Sequence, residues 1–331
     1  MGTYLARRLL LMIPTLLGIT LVTFVVIRLA PGDPVSAAMG GDLQPGAMSA
    51  EAIEHFRKEM NLDDPMLVQY GRWVGRLFTL DFGTSWRTGR SVLEQIVERM
   101  PVTMGLGGAA LFFVYLLGLP LGILSAVKQG SAGDRVTTVI LFVLYSLPSF
   151  WVGTLAILYL GGGKYWDLIP VQGLYSPGHE EMSWFGQVLD VVWHAATPVV
   201  LLGYASLASV SRYMRTGMLE VIRQDYIRTA RAKGLGERVV VFKHALRNSL
   251  IPILSHLGLM VPFLIGGSVI VERLFGIPGM GQLMFQAILT RDYSLIMGIT
   301  TVTAIVTMLG ILITDLLYAA VDPRISLAEK K

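Results

Sequence analysis

Residues 212–252 carry nine cations, Arg212, Arg215, Arg223, Arg228, Arg231, Lys233, Arg238, Lys243 and Arg247. Such a stretch can serve an acidic protein groove, an anionic lipid surface or a nucleic acid. Spacing separates these chemistries. Asp225 suits a helix N-cap, where its carboxylate meets the positive end of the helix. Ile227, Ala230 and Gly234 then fall at i, i+3 and i+7 on one small face fit for close approach, with Arg228 and Arg231 beside it. Gly234 and Gly236 can end that helix in a left-handed turn, and a second helix from Glu237 leads into Pro252. An ordinary positively charged loop explains the sign of the charge but not a short helix between two turns. Lipid insertion would set aromatic or leucine side chains beside the lysines, and only Leu235 and Phe242 answer to that. Nucleic-acid readers interleave aromatics with their cations, and this stretch does not. A docking helix for a cytoplasmic protein accounts for the pattern.

The rest of the chain offers little catalytic chemistry. The run LGGGKYW (160–166) has Gly-Lys without the following Ser or Thr or the glycine spacing of a phosphate-binding loop. HEEM (179–182) lacks the second histidine of a zinc protease. With no cysteine, disulfides, thiolate zinc sites and cysteine nucleophiles are excluded. No pair of carboxylates shares a helical face within an apolar run, so neither a catalytic residue nor a metal ligand set is expected, and the chain reads as a non-enzyme. Polar residues inside apolar runs need a reason. Ser146, Ser149, Ser206 and Ser209 can line a polar path or hydrogen-bond to their own backbone. His256 can serve that path or sit satisfied in a helix bundle. Asp315 can serve it or make a structural contact near the cytoplasmic face. Gly118 and Gly122 suit close helix packing. GIPGMG (276–281) is a non-helical turn, either an external gate or a plain connector.

The elements that must carry these residues follow from composition. Of 331 residues, 53% are hydrophobic and 15% charged, where a soluble domain carries about 25% charged. The apolar residues gather in six runs, 9–30, 102–127, 136–163, 191–210, 249–271 and 294–314. Each reaches the roughly 20 residues that span a bilayer core, and helices leave no backbone group unpaired in lipid. The first run exceeds the ~7–15 apolar residues of a leader and reads as a retained span. Arg7 and Arg8, Lys128 and Arg135, the 212–247 cations and Arg324, Lys330 and Lys331 fall on one side of a six-span arrangement. Both termini are therefore expected in the cytoplasm. Segment 31–99 is net acidic and lies on the other side. Ile53, Phe56 and Met60, then Leu67, Tyr70, Val74 and Leu77, mark two short amphipathic helices there, either a lid on the bundle or a docking surface for an extracytoplasmic partner.

The basic stretch also resembles the cytoplasmic coupling loop of ABC-importer permeases, whose pattern runs Glu-Ala-Ala, three residues, Gly. RTARAKG (228–234) matches at Ala230 and Gly234 and departs at Arg228 and Thr229. That departure resembles the peptide-permease branch, with its DYIRTARAKGL form (225–235). RRLLLMIPTLLGITLVTFVVIRLAPGDPV, NLDDPMLVQYGRWV, DFGTS, GIPGMG and DLLYAAVDPRI agree with that branch, so the likeness covers almost the whole chain. It implies an all-α membrane protein of six spans, a type I importer-like permease. Its parts would be an N-terminus with span one (1–30), an extracytoplasmic cap (31–99) and a five-helix core (100–331) with coupling loop 212–248. It further implies that Asp225, Tyr226, Ile227, Arg228, Thr229, Ala230, Arg231, Ala232, Lys233, Gly234 and Leu235 form the helix that engages an ATPase. The implied partners are a homologous second permease, two ATP-binding subunits, a substrate-binding protein and the lipid bilayer, with no nucleic acid. ATP and magnesium would be bound by the partners and no cofactor by this chain. The implied setting is a bacterial or archaeal cytoplasmic membrane. Dipeptides, oligopeptides, nickel chelates and glutathione-type solutes all remain open as cargo. A non-transporting scaffold or sensor is the reading from another class.

Overall fold

The computed structural model describes residues 2–30, 54, 63–250, 253, 257 and 267–321. Among these the secondary structure is helical, with one isolated bridge between Thr84 and Ser91. Four helices are long and apolar enough to cross a membrane. These are α1 (Gly2–Leu29), α3 (Val92–Val127), α6 (Trp184–Ile222) and α11 (Tyr293–Val321). Between them lie α2 (Met66–Leu77), α4 (Ala132–Ser146), α5 (Ser149–Leu160) and α7 (Asp225–Ala232). A further helix, α8, covers residues 237–249, and its middle, Val240–Ala245, widens to π geometry. The short α9 (Val269–Leu274) and α10 (Met280–Leu289) follow. Most of the fifth apolar run, His256 and the helix expected around Ile53, Phe56 and Met60 lie outside the described residues.

The third apolar run departs from the expected single span. It breaks after Ser146, and α4 and α5 meet at 94°. Pro148 is the cause. Proline has no N–H to continue the ladder and drives the residue before it out of the α region. Leu147 is accordingly extended, with φ −86° and ψ 126°. Its carbonyl accepts a hydrogen bond from the Tyr204 hydroxyl of α6 at 2.5 Å, so the break leaves that group paired. Neither arm alone has the roughly 20 residues of a full crossing.

The chain divides into two compact units, 1–102 with 279–309, and 103–278 with 310–331. In the first, α2 lies on α1. Tyr70, Val74 and Leu77 turn inward as expected, joined by buried Trp73, against Phe24 and Met297. Leu67 instead is 81% exposed, because it sits a turn before that stripe. The Tyr70 hydroxyl lies 3.0 Å from both Thr20 Oγ1 and the Leu17 carbonyl of α1. A second cluster packs Phe82, Val92 and Ile96 on α10 and α11. Ser85, from the DFGTS run, donates to Asp292, which also accepts from the Leu295 amide and so caps α11.

In the second unit α3 packs on α6 through glycines. A Cβ at Gly118 would stand 3.0 Å from Val210, and one at Gly122 only 2.5 Å from the Ser211 carbonyl oxygen. These two are packing contacts, as their spacing suggests. At the same end, Asp134 of α4 is buried. It accepts from the Ser125 hydroxyl, the Gly130 amide at 2.9 Å and the Arg215 guanidinium at 3.0 Å. Near the start of α6, Asp190 accepts from the amide and hydroxyl of Ser176 at 2.9 and 2.7 Å and pairs with His179 Nδ1 at 2.7 Å. The 161–183 loop is thereby tied to α6.

Candidate coupling and translocation site

The basic stretch folds as α7, a turn, then α8. Asp225 is the first residue of α7 rather than its cap, a position held by Gln224. Its carboxylate instead accepts from Arg228 at 3.3 Å. The expectation of one small outward face made by Ile227, Ala230 and Gly234 is corrected. Ile227 is fully buried and Ala230 is 7% exposed, and both belong to this chain's own core. Their neighbours are Ile123, Met214, Met218, Val240, Val241 and Ala245, so α7 is wedged against α3, α6 and α8. The physical reason is simple: Ile227, the one large aliphatic side chain of α7, goes inward, while Tyr226 keeps its hydroxyl for Asn248. Gly234 lies beyond the helix, at φ +77°, with open space around an added Cβ. Its amide donates to the Arg231 carbonyl, and the Leu235 amide to that of Ala230. This is the left-handed stop that the glycine allows. Gly236 is not left-handed; it precedes α8 with φ −59°.

The surface presented outward is polar. Asp225, Tyr226, Arg228, Thr229, Arg231, Ala232, Lys233, Gly234 and Leu235 are all exposed. Arg231 makes a two-pronged pair with Glu237 of α8, at 3.1 and 2.7 Å, which closes the turn. The arginine holds the Glu237 carboxyl below its ordinary value and is itself held up. Tyr226 accepts from the Asn248 amide at 2.7 Å, a second tie between α7 and α8. Arg228 and Lys233 are thus cations held on a short, rigidly seated helix.

The residues expected on a polar path separate. Ser149 and Ser206 line one cavity of about 370 Å³, with Thr103, Ser268 and Glu272. Ser209 lines another of about 390 Å³, with Ser125, Thr138, Arg212 and Arg215. Ser146 sits outside both and donates to the Phe142 carbonyl of its own helix. Asp315 lies half-buried on α11. Glu272 and Thr103 escaped the sequence reading, although Glu272 was visible as an acid beside the end of an uncharged run. They are 2% and 3% exposed, and the Thr103 hydroxyl donates to Glu272 Oε1 at 3.1 Å. The GIPGMG turn begins at left-handed Gly276, and the preceding Phe275 carbonyl accepts from the Gly173 amide at 2.7 Å.

Residues 118–327 match the family described as the inner membrane component of binding-protein-dependent transport systems, and residues 1–107 match that component's N-terminal family. The chain belongs to this family. The permease is 41% identical over 326 residues to the oligopeptide transport system permease protein AppB of Bacillus subtilis, covering 98% of this chain and 99% of that protein. It is 36% identical over 338 residues to the dipeptide transport system permease protein DppB of Escherichia coli K12, covering 97% and 98%. A peptidoglycan transport system permease protein, YejB of Agrobacterium fabrum, is 32% identical over 98% of both chains. Among solved structures, a chain of the MetNI methionine ABC transporter in an inward-facing conformation superposes with a TM-score of 0.50 at 19% identity, over 70% of the permease and 97% of that chain. That likeness bears on the fold. The permease is a multi-pass membrane component of its transport system, in keeping with its long apolar helices.

Proposed function

We propose that this permease is one of two membrane subunits of an ATP-driven importer of di- or oligopeptides. Its six spans place both termini in the cytoplasm, and residues 31–99 form a cap on the far side that receives the substrate-binding protein. A homologous permease completes the path. Two ATPase subunits, which hold ATP and magnesium, supply the energy. The peptide assignment draws support from the named systems of its relatives, the oligopeptide and dipeptide permeases.

One observation carries the coupling role: α7 shows charge outward while Ile227 and Ala230 anchor it inward. A helix held only by its ends would rock under load. This one is packed against α3, α6 and α8, so a groove that grips Arg228, Arg231 and Lys233 moves those helices with it. Closure of the ATPase pair on ATP then becomes a tilt of the spans, and access to the path changes sides. The cavity bearing Ser149 and Ser206 belongs to that path.

The test is reconstitution of the permease with its partner permease, both ATPases and the binding protein in vesicles. ATP-dependent accumulation of labelled dipeptide or oligopeptide is expected. Reversing charge with Arg228→Glu and Arg231→Glu together should abolish co-purification of the ATPases while the permease still inserts. ATP hydrolysis by the assembled complex without accumulation of any peptide would defeat the cargo assignment. Full co-purification after the double reversal would defeat the docking assignment.

A further inference from the structure

Helices α4 and α6 are clasped at two points, Asp134 to Arg215 at 3.0 Å and the Leu147 carbonyl to the Tyr204 hydroxyl at 2.5 Å. Between the clasps lies the cavity of about 390 Å³ that bears Ser209, lined from Thr137 to Tyr145 on α4 and from Ala208 to Arg215 on α6. Arg212 and Arg215 are its cations, and Ser125, Thr138 and Ser209 add hydroxyls. Asp134, beside it, already accepts from Ser125, the Gly130 amide and Arg215. Arg215 gives an Nη2 donor to that pair, while its Nε–H is buried without an acceptor, a costly condition. Arg212 is exposed and enters no ion pair among the described residues. Two guanidinium groups against one carboxylate leave net positive charge, and a guanidinium fork fits the oxygens of a phosphate or carboxylate. The cavity therefore favours an oxyanion.

Depth selects the source of that oxyanion. Arg212 and Arg215 are the first cations after the apolar run 191–210, Thr138 stands near the start of run 136–163, and Ser125 near the end of run 102–127. Three apolar runs thus reach the headgroup level at this cavity. Its deeper wall is apolar, with Leu141, Phe142 and Ala208, and Val139, Phe142 and Val143 of α4 are exposed beside it. We propose that this cavity seats the phosphate of an anionic phospholipid, with Arg212 and Arg215 as counter-charges and the exposed apolar strip of α4 against an acyl chain. A basic pocket between spans is suited to such a headgroup. The leaflet is the cytoplasmic one, which rests on the sidedness proposed above. A lipid here braces the part of α6 that carries α7, since Met214 and Met218, on either side of Arg215, share a core with Ile227.

The chain has no cysteine, so Ser209→Cys gives it a single thiol, in the cavity wall. The assembled transporter is set in nanodiscs of phosphatidylcholine alone or of phosphatidylcholine with phosphatidylglycerol. Modification by a neutral methyl thiosulfonate is followed by mass on this chain and normalised to an exposed Glu180→Cys variant. Phosphatidylglycerol should slow the cavity thiol at least about fivefold. Arg212→Gln should remove most of that slowing, and Arg212→Lys should keep most of it. Arg212 stands outside the Asp134 clasp, so both variants should assemble. Equal rates in the two discs, slowing that survives Arg212→Gln, or a thiol reached in neither disc would overturn the lipid site. Two soluble oxyanions separate the sources. In phosphatidylcholine discs, glycerol phosphate and a free dipeptide should each leave the rate unchanged. Slowing by glycerol phosphate would make this a soluble-phosphate site, and slowing by the dipeptide but not by its C-terminal amide a cargo site; either overturns the lipid assignment. A phosphatidylglycerol effect in a complex that imports no peptide would uphold the lipid site and defeat the cargo reading alone. The same effect with Gly236→Cys labelled only from outside would uphold the lipid and defeat the proposed sidedness.

Discussion

At Gly234 the backbone sits at φ +77° with room for a side chain, so any substitution there acts through the turn rather than through a clash. Gly234→Ala should therefore weaken the α7–α8 connection by about 1–2 kcal/mol, read as faster amide exchange at residues 233–236 with the ATPases still bound. Leucine adds bulk to the same strain, so loss of function in Gly234→Leu would not isolate docking. Ile227 is the cleaner probe of force transmission. It is fully buried in the chain's own core, and Ile227→Ala should cost about 2–5 kcal/mol by leaving a cavity. The expected outcome is retained co-purification of the ATPases with ATP hydrolysis no longer matched by uptake. Loss of co-purification would instead make Ile227 a docking residue. Asp292 carries the pH-dependent prediction. Burial pushes its carboxyl above the ordinary 3.8, against the opposing hydrogen bonds from Ser85 and the Leu295 amide. A raised folded-state pKa means that the folded form holds the proton more tightly. Its contribution is therefore complete at pH below 3.8, declines as pH rises towards the raised value, and is flat above it. Asp292→Asn should remove that slope from the thermal unfolding of the detergent-solubilised complex.

At the scale of the helices, the α3–α6 seam makes the strongest demand on residue size. Gly122→Ala would put a methyl 2.5 Å from a backbone oxygen and 2.6 Å from Met214 Cβ. Backbone cannot swing aside as a flexible side chain can, so the helices must part, at about 1–3 kcal/mol. Gly105→Ala on the same helix meets nothing within 4 Å. It should be neutral or stabilising by up to about 1 kcal/mol, since alanine is the better helix former. Thermal unfolding of the two variants side by side checks the contrast. The α3–α4 corner is held by charge instead. Asp134 keeps 6% of its side chain exposed, Arg215 33%. Arg215→Ala should cost about 2–3 kcal/mol, below the ~3–5 of a fully buried pair because the arginine is part-hydrated.

For the whole molecule, the sidedness of the chain is the property on which the importer reading stands. Gly236→Cys, exposed in the α7–α8 turn, should react with an impermeant thiol reagent only from the cytoplasmic side. Glu180→Cys should react only from the opposite side. Ser176 is a poorer reporter there, because its amide and hydroxyl both bind Asp190. Labelling with the sides exchanged would overturn the topology, and with it the assignment of α7 to a cytoplasmic ATPase.

What the amino-acid order determined by itself was set by bulk hydrophobicity and by local stop signals. Four of the six apolar runs stand as long helices, because a lipid-length stretch of apolar residues has no better way to pair its backbone. Gly234 ended α7, and the family likeness was readable along nearly the whole chain. Tertiary packing decided the rest. The face of α7 that bears Ile227 and Ala230 was legible as the one fit for close approach, but only the neighbouring core at Met214, Met218 and Val240 decided that it packs within this chain. The third apolar run read as one span; Pro148 breaks it, and the carbonyl released at the 94° bend finds its partner in Tyr204, far along the chain. Glu272 meets Thr103, and Asp292 meets Ser85, across 169 and 207 positions of sequence. Periodicity reports only neighbours within a turn or two, so pairings at that separation exist only once the chain has folded.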